Sequence, residues 1–375
     1  METEITILTD LREFVGAARS QPVEIRGEWT LIVAVADLEP LLEFLRTRDG
    51  DRLDTLVDLT AVDRLQMGRG KRFQLVYQLR SSLSGFRLRL RVPFDPDVDE
   101  VESVVPSWPA ANWLEREVYD MFGIAFSGHP DMRRILLPET YESFPLRKDF
   151  PADGFAPAAE VSPPNDTGVE QPGSGNSNAL GLGPFHPGMT GNLTADLEAE
   201  GEEISRVELE LGFVHSGVEK LGETQTYMQF VAVTDRINYQ SPVCNNLAFV
   251  LCLERLLGVE VPKRAQYARV ILSELGRIGE HFIWLGLQAR QIAAHGLFQL
   301  VDSRREALCD IYESIGGNRW MTSFVRLGGI AADLPGGFSG RVSAFLSTVM
   351  RGVAELRAAW DGNGVWLDRA RGVGT

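Results

Sequence analysis

A single compositionally biased stretch decides what this chain can fold into. From Ala152 to Gly181 the sequence (ADGFAPAAEVSPPNDTGVEQPGSGNSN and the residues after it) is mostly Pro, Gly, Ser, Asn and Ala. It holds too few large apolar side chains to offset the entropy lost on ordering it. A chain of 375 residues interrupted there does not share one core, and each side is long enough to bury its own. The expected organisation is a first domain over 1–151, a flexible linker over 152–181 and a second domain over 182–375.

Composition excludes several functions. A net charge of -15 opposes binding to nucleic acid or to an anionic membrane surface. No apolar run approaches the roughly 18–20 residues that span a bilayer. The acidic start, METEITILTD, lacks the basic and apolar regions of a secretory signal. The chain therefore reads as cytoplasmic. Its three cysteines, Cys244, Cys252 and Cys309, are too few for an iron–sulfur cluster of four thiolates. Cys244 and Cys252, eight apart on an apolar helix, read as buried small hydrophobes.

The first domain reads as α/β. A helix is expected over Leu41–Arg48 and an extended segment within Arg52–Asp63. Arg72–Leu79 and Gly85–Val92 alternate apolar and polar residues around a serine-rich turn, which predicts a hairpin. A further helix covers Trp113–Met121, where Glu115, Arg116, Glu117 and Asp120 read as solvated or interface ion pairs. Arg133, Arg134, Arg147 and Lys148 read as a surface for acidic partners. In the second domain, strands are expected at Leu193–Glu200 and Ile204–Leu211 around Gly201. Helices follow at Val243–Leu257, stopped by Gly258, and at Lys263–Ala294, with two more at Ser303–Ile315 and Arg341–Ala359. The overall class is α+β, with a small β-rich cap on a helical bundle.

Local motifs then carry a family resemblance. Asn112–Ile124 (NWLEREVYDMFGI), Gly128-His129-Pro130 and Arg133–Pro151 (RRILLPETYESFPLRKDFP) resemble the C subunit of respiratory complex I, NADH:quinone oxidoreductase. Gly183–Pro187 (GPFHP), Phe213–Lys220 (FVHSGVEK), Thr226–Gln229, Thr234–Tyr239 (TDRINY), Glu254–Gly258, Pro262–Tyr267 and Arg326–Pro335 resemble its D subunit, in order. The chain thus resembles a fused C–D (30 kDa/49 kDa-type) subunit. The D part is related to the large subunit of nickel–iron hydrogenases and is expected to stop short of the family's usual C-terminus.

The resemblance implies a subunit near the membrane, on the cytoplasmic face of the inner membrane. There, electrons from a cluster in a partner reach quinone, the substrate. The implied partners are the cluster-bearing B-type subunit, the I-type ferredoxin-like subunit and the membrane H-type subunit. NADH and the iron–sulfur clusters are implied on partners, with no cofactor or metal held by this chain. The family's quinone-binding tyrosine falls on Tyr239, beside Arg236. Its second site histidine falls on Thr190, in Gly183-Pro184-Phe185-His186-Pro187-Gly188-Met189-Thr190-Gly191, and the aspartate that orients it falls on Gln291. A threonine hydroxyl donates a hydrogen bond but is no proton source near neutral pH. His186 is a further candidate, or a loop histidine bonding backbone. His215 and His281 read as structural, and His295 as a helix cap. The first thiolate pair of a nickel site would fall on Asn238 and Ser241, which excludes that metal centre.

Overall fold

A computed structural model describes residues 2–15, 21–25, 27–68, 70–152, 178–183, 193–201 and 203–373. These divide into two compact units, one reaching to Lys220 and the other beginning at Leu221.

The first unit is built on a five-stranded sheet. Its strands are β1 (Val23–Ile25), β2 (Glu28–Ile32), β3 (Thr55–Asp63), β4 (Phe73–Arg80) and β5 (Arg87–Phe94), in the order β1-β2-β5-β4-β3. β2 and β5 run parallel and the other pairs antiparallel. The expected hairpin is β4–β5, closed between Arg80 and Arg87. Helix α1 (Glu2–Val15) precedes the sheet. α2 (Val35–Thr47) buries Leu38, Leu41, Leu42 and Leu45, the 3–4 spacing that makes one helix face apolar. α3 (Ala111–Phe122) follows the sheet.

Two of the four α3 charges expected at the surface, Glu115 and Asp120, are internal, while Glu117 is exposed. Glu115 and Asp120 are both fully buried. Glu115 accepts from Ser103 Oγ at 2.6 Å and Val104 N at 2.7 Å, and burial pushes its carboxyl up from the usual range. Asp120 accepts from three successive backbone amides, Ile135, Leu136 and Leu137, at 2.7–3.0 Å, and from Arg134 Nη1 at 2.6 Å. Arg134 is therefore internal as well, not a partner-facing charge. Arg147 likewise turns inward: its Nε donates to Phe122 O at 2.6 Å and its guanidinium covers the Phe144 ring at 4.6 Å. Of that basic group, Arg133 is exposed, paired with Asp131. Gly123 closes α3 with φ +70°, and a Cβ there would lie 2.6 Å from Arg147 and Phe144, so no other residue fits. Residues 128–150 form no helix or long strand, and these contacts are what hold them.

A second sheet, β6 (Asn178–Leu182), β7 (Thr194–Glu200) and β8 (Glu203–Glu210), is wholly antiparallel in that order. Residues 153–177 of the expected linker lie outside the described residues, and 178–181 begin β6. The sequence expectation puts β7 and β8 on the helical bundle. They belong instead to the first unit, because Gly212 (φ +93°) runs against the Leu136 carbonyl, where a Cβ would sit 2.3 Å from the oxygen. α4 (Val218–Gly222) lies where the first unit gives way to the second.

The second unit is helical: α5 (Tyr227–Thr234), α6 (Pro242–Leu257), α7 (Lys263–Gln291), α8 (His295–Gly316), α9 (Phe338–Asp361) and α10 (Gly364–Ala370). A short hairpin of β9 (Val325–Arg326) and β10 (Gly329–Ile330) is set between α8 and α9. α6 ends at Gly258 in the left-handed region, as the sequence predicts. α7 is shorter than expected. The chain reverses at Ala293 (φ +55°), and α8 starts at His295, eight residues before the expected Ser303. His295 therefore opens a helix rather than capping the end of one. Along the α7–α8 hairpin, Phe298 meets Gly286, Leu308 meets Gly279 and the Tyr312 hydroxyl donates to Leu272 O at 2.9 Å. Cys252, expected to be buried, is exposed, while Cys309 is buried. Eight residues at 100° each put Cys252 about 80° around α6 from the half-buried Cys244. No helix among the described residues is long and apolar enough to cross a membrane.

Replacing Asp120 by Asn strands a buried guanidinium without its anion. We expect a loss of about 3–5 kcal/mol in the first unit's unfolding free energy, measured by urea denaturation. A loss below about 1 kcal/mol would mean that the Arg134 pair is not what holds residues 128–150.

Candidate functional site

α5 starts with a capping box, in which Thr226 Oγ1 accepts from Gln229 N while the Gln229 side chain accepts from the Thr226 amide. The chain then leaves the helix through a turn over 235–240 and enters α6 at Pro242, a residue that suits a helix's first position. That turn carries the Asp235–Tyr239 motif, and it is clamped from three directions.

Asp235 is fully buried and accepts from the backbone amide of Ser323 at 3.0 Å and from the Ser323 hydroxyl. Burial pushes its carboxyl up, against the opposing pull of the Ser323 bonds. Asn238 donates from Nδ2 to Glu280 Oε1 on α7 at 3.0 Å, and its own carbonyl accepts from Asn245 Nδ2 on α6. The Trp320 indole N–H donates to the Tyr239 carbonyl. Beneath the turn, Asn246 Nδ2 donates to Val231 O and Thr234 Oγ1, which locks α6 to the end of α5. The backbone is fixed, yet the Tyr239 side chain is 44% exposed.

Next to this turn, between α7 and α8, opens a small cleft. Its inner wall is apolar and small-featured, with Gly276, Gly279, Ile283 and Leu308. Cys309 and Tyr312 complete it, the thiol pushed up in pKa by burial. Its rim is different. Arg305 stacks over the Trp320 ring at 4.1 Å, and Arg319, held by Asp310 at 2.8 Å and Glu313 at 3.2 Å, stands beside it with Gln240. An apolar lining with a few polar groups at its mouth suits the edge of a flat ring with polar substituents.

The sequence-predicted site residues are only partly brought together. Tyr239 neighbours the cleft through Gln240 and Trp320. Arg236 turns away, donating from Nη1 to Ala232 O at 2.5 Å. Gln291 is the exposed last residue of α7, eleven positions beyond Glu280, roughly 16 Å along the axis. His186 and Thr190 lie outside the described residues, in the segment joining β6 to β7. His281 is exposed on α7, where Arg277 and Glu274 pair, and His215 is half-buried after β8. The sequence analysis missed Arg305, Cys309, Arg319 and Trp320. The signal for them was faint: glycines at 276, 279 and 286 recur on the buried face of α7 and leave space against α8. Among the described residues no group of three or more His, Cys, Asp or Glu is placed to hold a metal ion.

Residues 31–156 match the family of the respiratory-chain NADH dehydrogenase 30 Kd subunit, and residues 291–375 that of its 49 Kd subunit. The C/D 2 subunit of the NADH-quinone oxidoreductase of Aquifex aeolicus is 36% identical over 368 residues, covering 90% of this chain and 61% of that protein. The C/D subunit of Methylococcus capsulatus is 35% identical over 97% of this chain and 65% of its own length. That of Acidiphilium cryptum is 38% identical over 89% of this chain and 60% of its own length. The chain belongs to the C/D-type subunits of NADH-quinone oxidoreductase, the respiratory complex I family. It spans about three fifths of the length of these curated relatives.

Because Asp235 has a raised carboxyl pKa in the fold, the folded state binds its proton more tightly than the unfolded chain does. That contribution is fully present below about pH 3.9 and is lost as pH rises through the raised value. Asp235→Asn removes this dependence while leaving an oxygen for Ser323. The variant's stability relative to the parent should therefore improve between about pH 4 and pH 8 in paired urea melts. A gap that stays constant across that range rejects the assignment.

Proposed function

We propose that this chain is a peripheral-arm subunit of NADH:quinone oxidoreductase that helps to form the quinone-reduction site. It also docks the cluster-bearing B-type subunit, with the I-type and membrane H-type subunits as further neighbours, on the cytoplasmic face of the inner membrane. Electron transfer there is coupled to proton translocation. NADH and the iron–sulfur clusters belong to partner subunits of the complex. In this reading residues 1–151 form the C-like part and 182–375 the D-like part, whose helical bundle is related to the nickel–iron hydrogenase large subunit. The observation that carries the proposal is the rigidly held turn that leaves the Tyr239 phenol exposed beside an apolar cleft rimmed by Trp320 and Arg305.

Reducing a quinone to a quinol takes two electrons and two protons. The electrons come from the partner's cluster. This chain's part is to hold one carbonyl of the head group and supply a proton to it. The Tyr239 hydroxyl does both, donating a hydrogen bond and then its proton as the carbonyl oxygen gains charge, and solvent restores that proton through the exposed side. Apolar walls exclude bulk water from the ring, which strengthens that bond. The family resemblance adds Thr190 and His186 as further candidates, Thr190 as a hydrogen-bond donor alone.

Tyr239→Phe in the assembled complex should lower quinone-dependent NADH oxidation by about 10²-fold or more, while NADH oxidation by an artificial acceptor upstream stays unchanged. Unchanged quinone turnover would remove Tyr239 from the mechanism.

One observation favours a second reading, a catalytically altered scaffold that docks a cluster-bearing partner without positioning quinone in the usual way. Gln291 stands far along α7 from the Tyr239 turn and carries no acidic proton. The double variant Thr190→His with Gln291→Asp separates the two. A rise in quinone turnover supports a surviving slot, and no gain supports the scaffold.

A further inference from the structure

The β6–β8 sheet has two chemically opposite faces, and at β8 both are open. Paired residues share a face, so Leu197 lies with Leu180 and Val207, and Ala195 with Leu209. The other face carries Asp196, Glu198 and Glu200 of β7 with Glu203, Glu208 and Glu210 of β8. Against these six carboxylates stands Arg206, ion-paired with Glu198 and Glu208.

β8 is an edge strand, and all eight of its residues are exposed. Ile204, Val207 and Leu209 are 58%, 50% and 48% exposed, and Leu180 in β6 is 54% exposed. At β7 the apolar face is closed, with Ala195 only 5% exposed. An edge with exposed apolar side chains invites another strand, and edges of this kind are normally blunted by lysine, proline, a bulge or a covering element. The register shift puts an extra residue, Ser205, into β8 between Ile204 and Arg206, so the regular part of its edge runs over Arg206–Glu210.

We propose that β8 is a docking edge for a strand of a partner protein, one that alternates apolar and basic residues. Main-chain pairing along β8 supplies the affinity. The incoming apolar side chains lie beside Val207 and Leu209, past the Ser205 bulge. The intervening ones lie beside Glu208 and Glu210, where lysine or arginine is favoured and a carboxylate is repelled. That repulsion argues against a second copy of this chain, whose own edge would bring like charges face to face. The inference stands apart from the quinone reading, since β6–β8 belong to the first unit.

The test uses the full chain and an end-blocked eight-residue peptide of alternating Val and Lys, followed by calorimetry and hydrogen exchange. The peptide should bind and protect amides within 206–210, with affinity falling about tenfold when salt is raised from ~0.05 to ~0.5 M. The same peptide N-methylated at alternate residues should not bind, nor should a Val–Glu peptide. The double variant Glu208→Lys with Glu210→Lys, its fold checked by circular dichroism, should transfer binding to the Val–Glu peptide. The proposal is overturned by equal binding of the N-methylated peptide, which means charge attraction alone, or by no binding of any peptide. It is also overturned if the chain self-associates and Val207→Lys abolishes that association, since the edge then receives a second copy.

Discussion

The geometry of the helical unit hangs on one buried ion pair. Arg269 of α7 and Glu254 of α6 meet in a two-pronged contact, at 2.9 and 2.6 Å, and both side chains are almost wholly buried. A pair of charges taken out of water is favourable only when the remaining donors and acceptors are also satisfied. Here they are. Arg269 donates from Nε to Gly329 O and from Nη2 to Arg326 O, while Glu254 accepts from the Gly328 amide. The guanidinium beside it holds the Glu254 carboxyl below the usual range. Two helices and the β9–β10 hairpin are thus tied at one point. Ser323, which binds Asp235, lies two residues before β9, and Trp320, which binds the Tyr239 carbonyl, lies three residues before that. The position of the Tyr239 turn is therefore a consequence of the Arg269–Glu254 pair, transmitted through six residues of chain.

The first unit uses a related device for a different purpose. Asp120 gathers three consecutive amides and a guanidinium, and Asp63 gathers Arg72 at 2.8 Å with the Lys148 amide at 2.8 Å. A segment that forms no helix and no ladder must satisfy its backbone groups in some other way. Buried carboxylates do this for residues 128–150. The acidity of the chain is therefore of two kinds. Some carboxylates are internal scaffolding, and others, as on the β6–β8 sheet, face outward with few cations near them.

What was legible in the sequence follows from the range of the forces involved. Periodicity found α7 because Ala268, Leu272, Leu275 and Phe282 recur on one face. Gly258 marked the end of α6, and alternation marked the β4–β5 hairpin. The break at 292–294 was hidden because Ile292-Ala293-Ala294 contains neither glycine nor proline, and only packing of α8 back onto α7 forces Ala293 into the left-handed region. Glu115 and Asp120 were misread because their partners lie 11 to 17 positions away. On a local reading, a charged helix residue is solvated. For the site, the TDRINY motif pointed to Tyr239, while the cleft is made by positions near 240, 276–283 and 305–320 that meet only in the tertiary fold.

A turn is an unusual place for a residue that must be positioned closely, since loops are ordinarily the mobile part of a fold. The bonds around Tyr239 resolve this. The contacts that fix the turn use the backbone or a neighbour: the Asp235 carboxylate, the Asn238 amide and the Tyr239 carbonyl. None of these uses the phenol. Position is set by main chain and reactivity is left to the side chain, so the hydroxyl is held in place and available at once. The same separation makes the oxygen of Tyr239 dispensable to the fold. Its removal leaves the indole bond from Trp320 and the amide bond to Glu280 in place. A loss of quinone turnover on that change then reports on chemistry at the hydroxyl, and not on collapse of the turn that carries it.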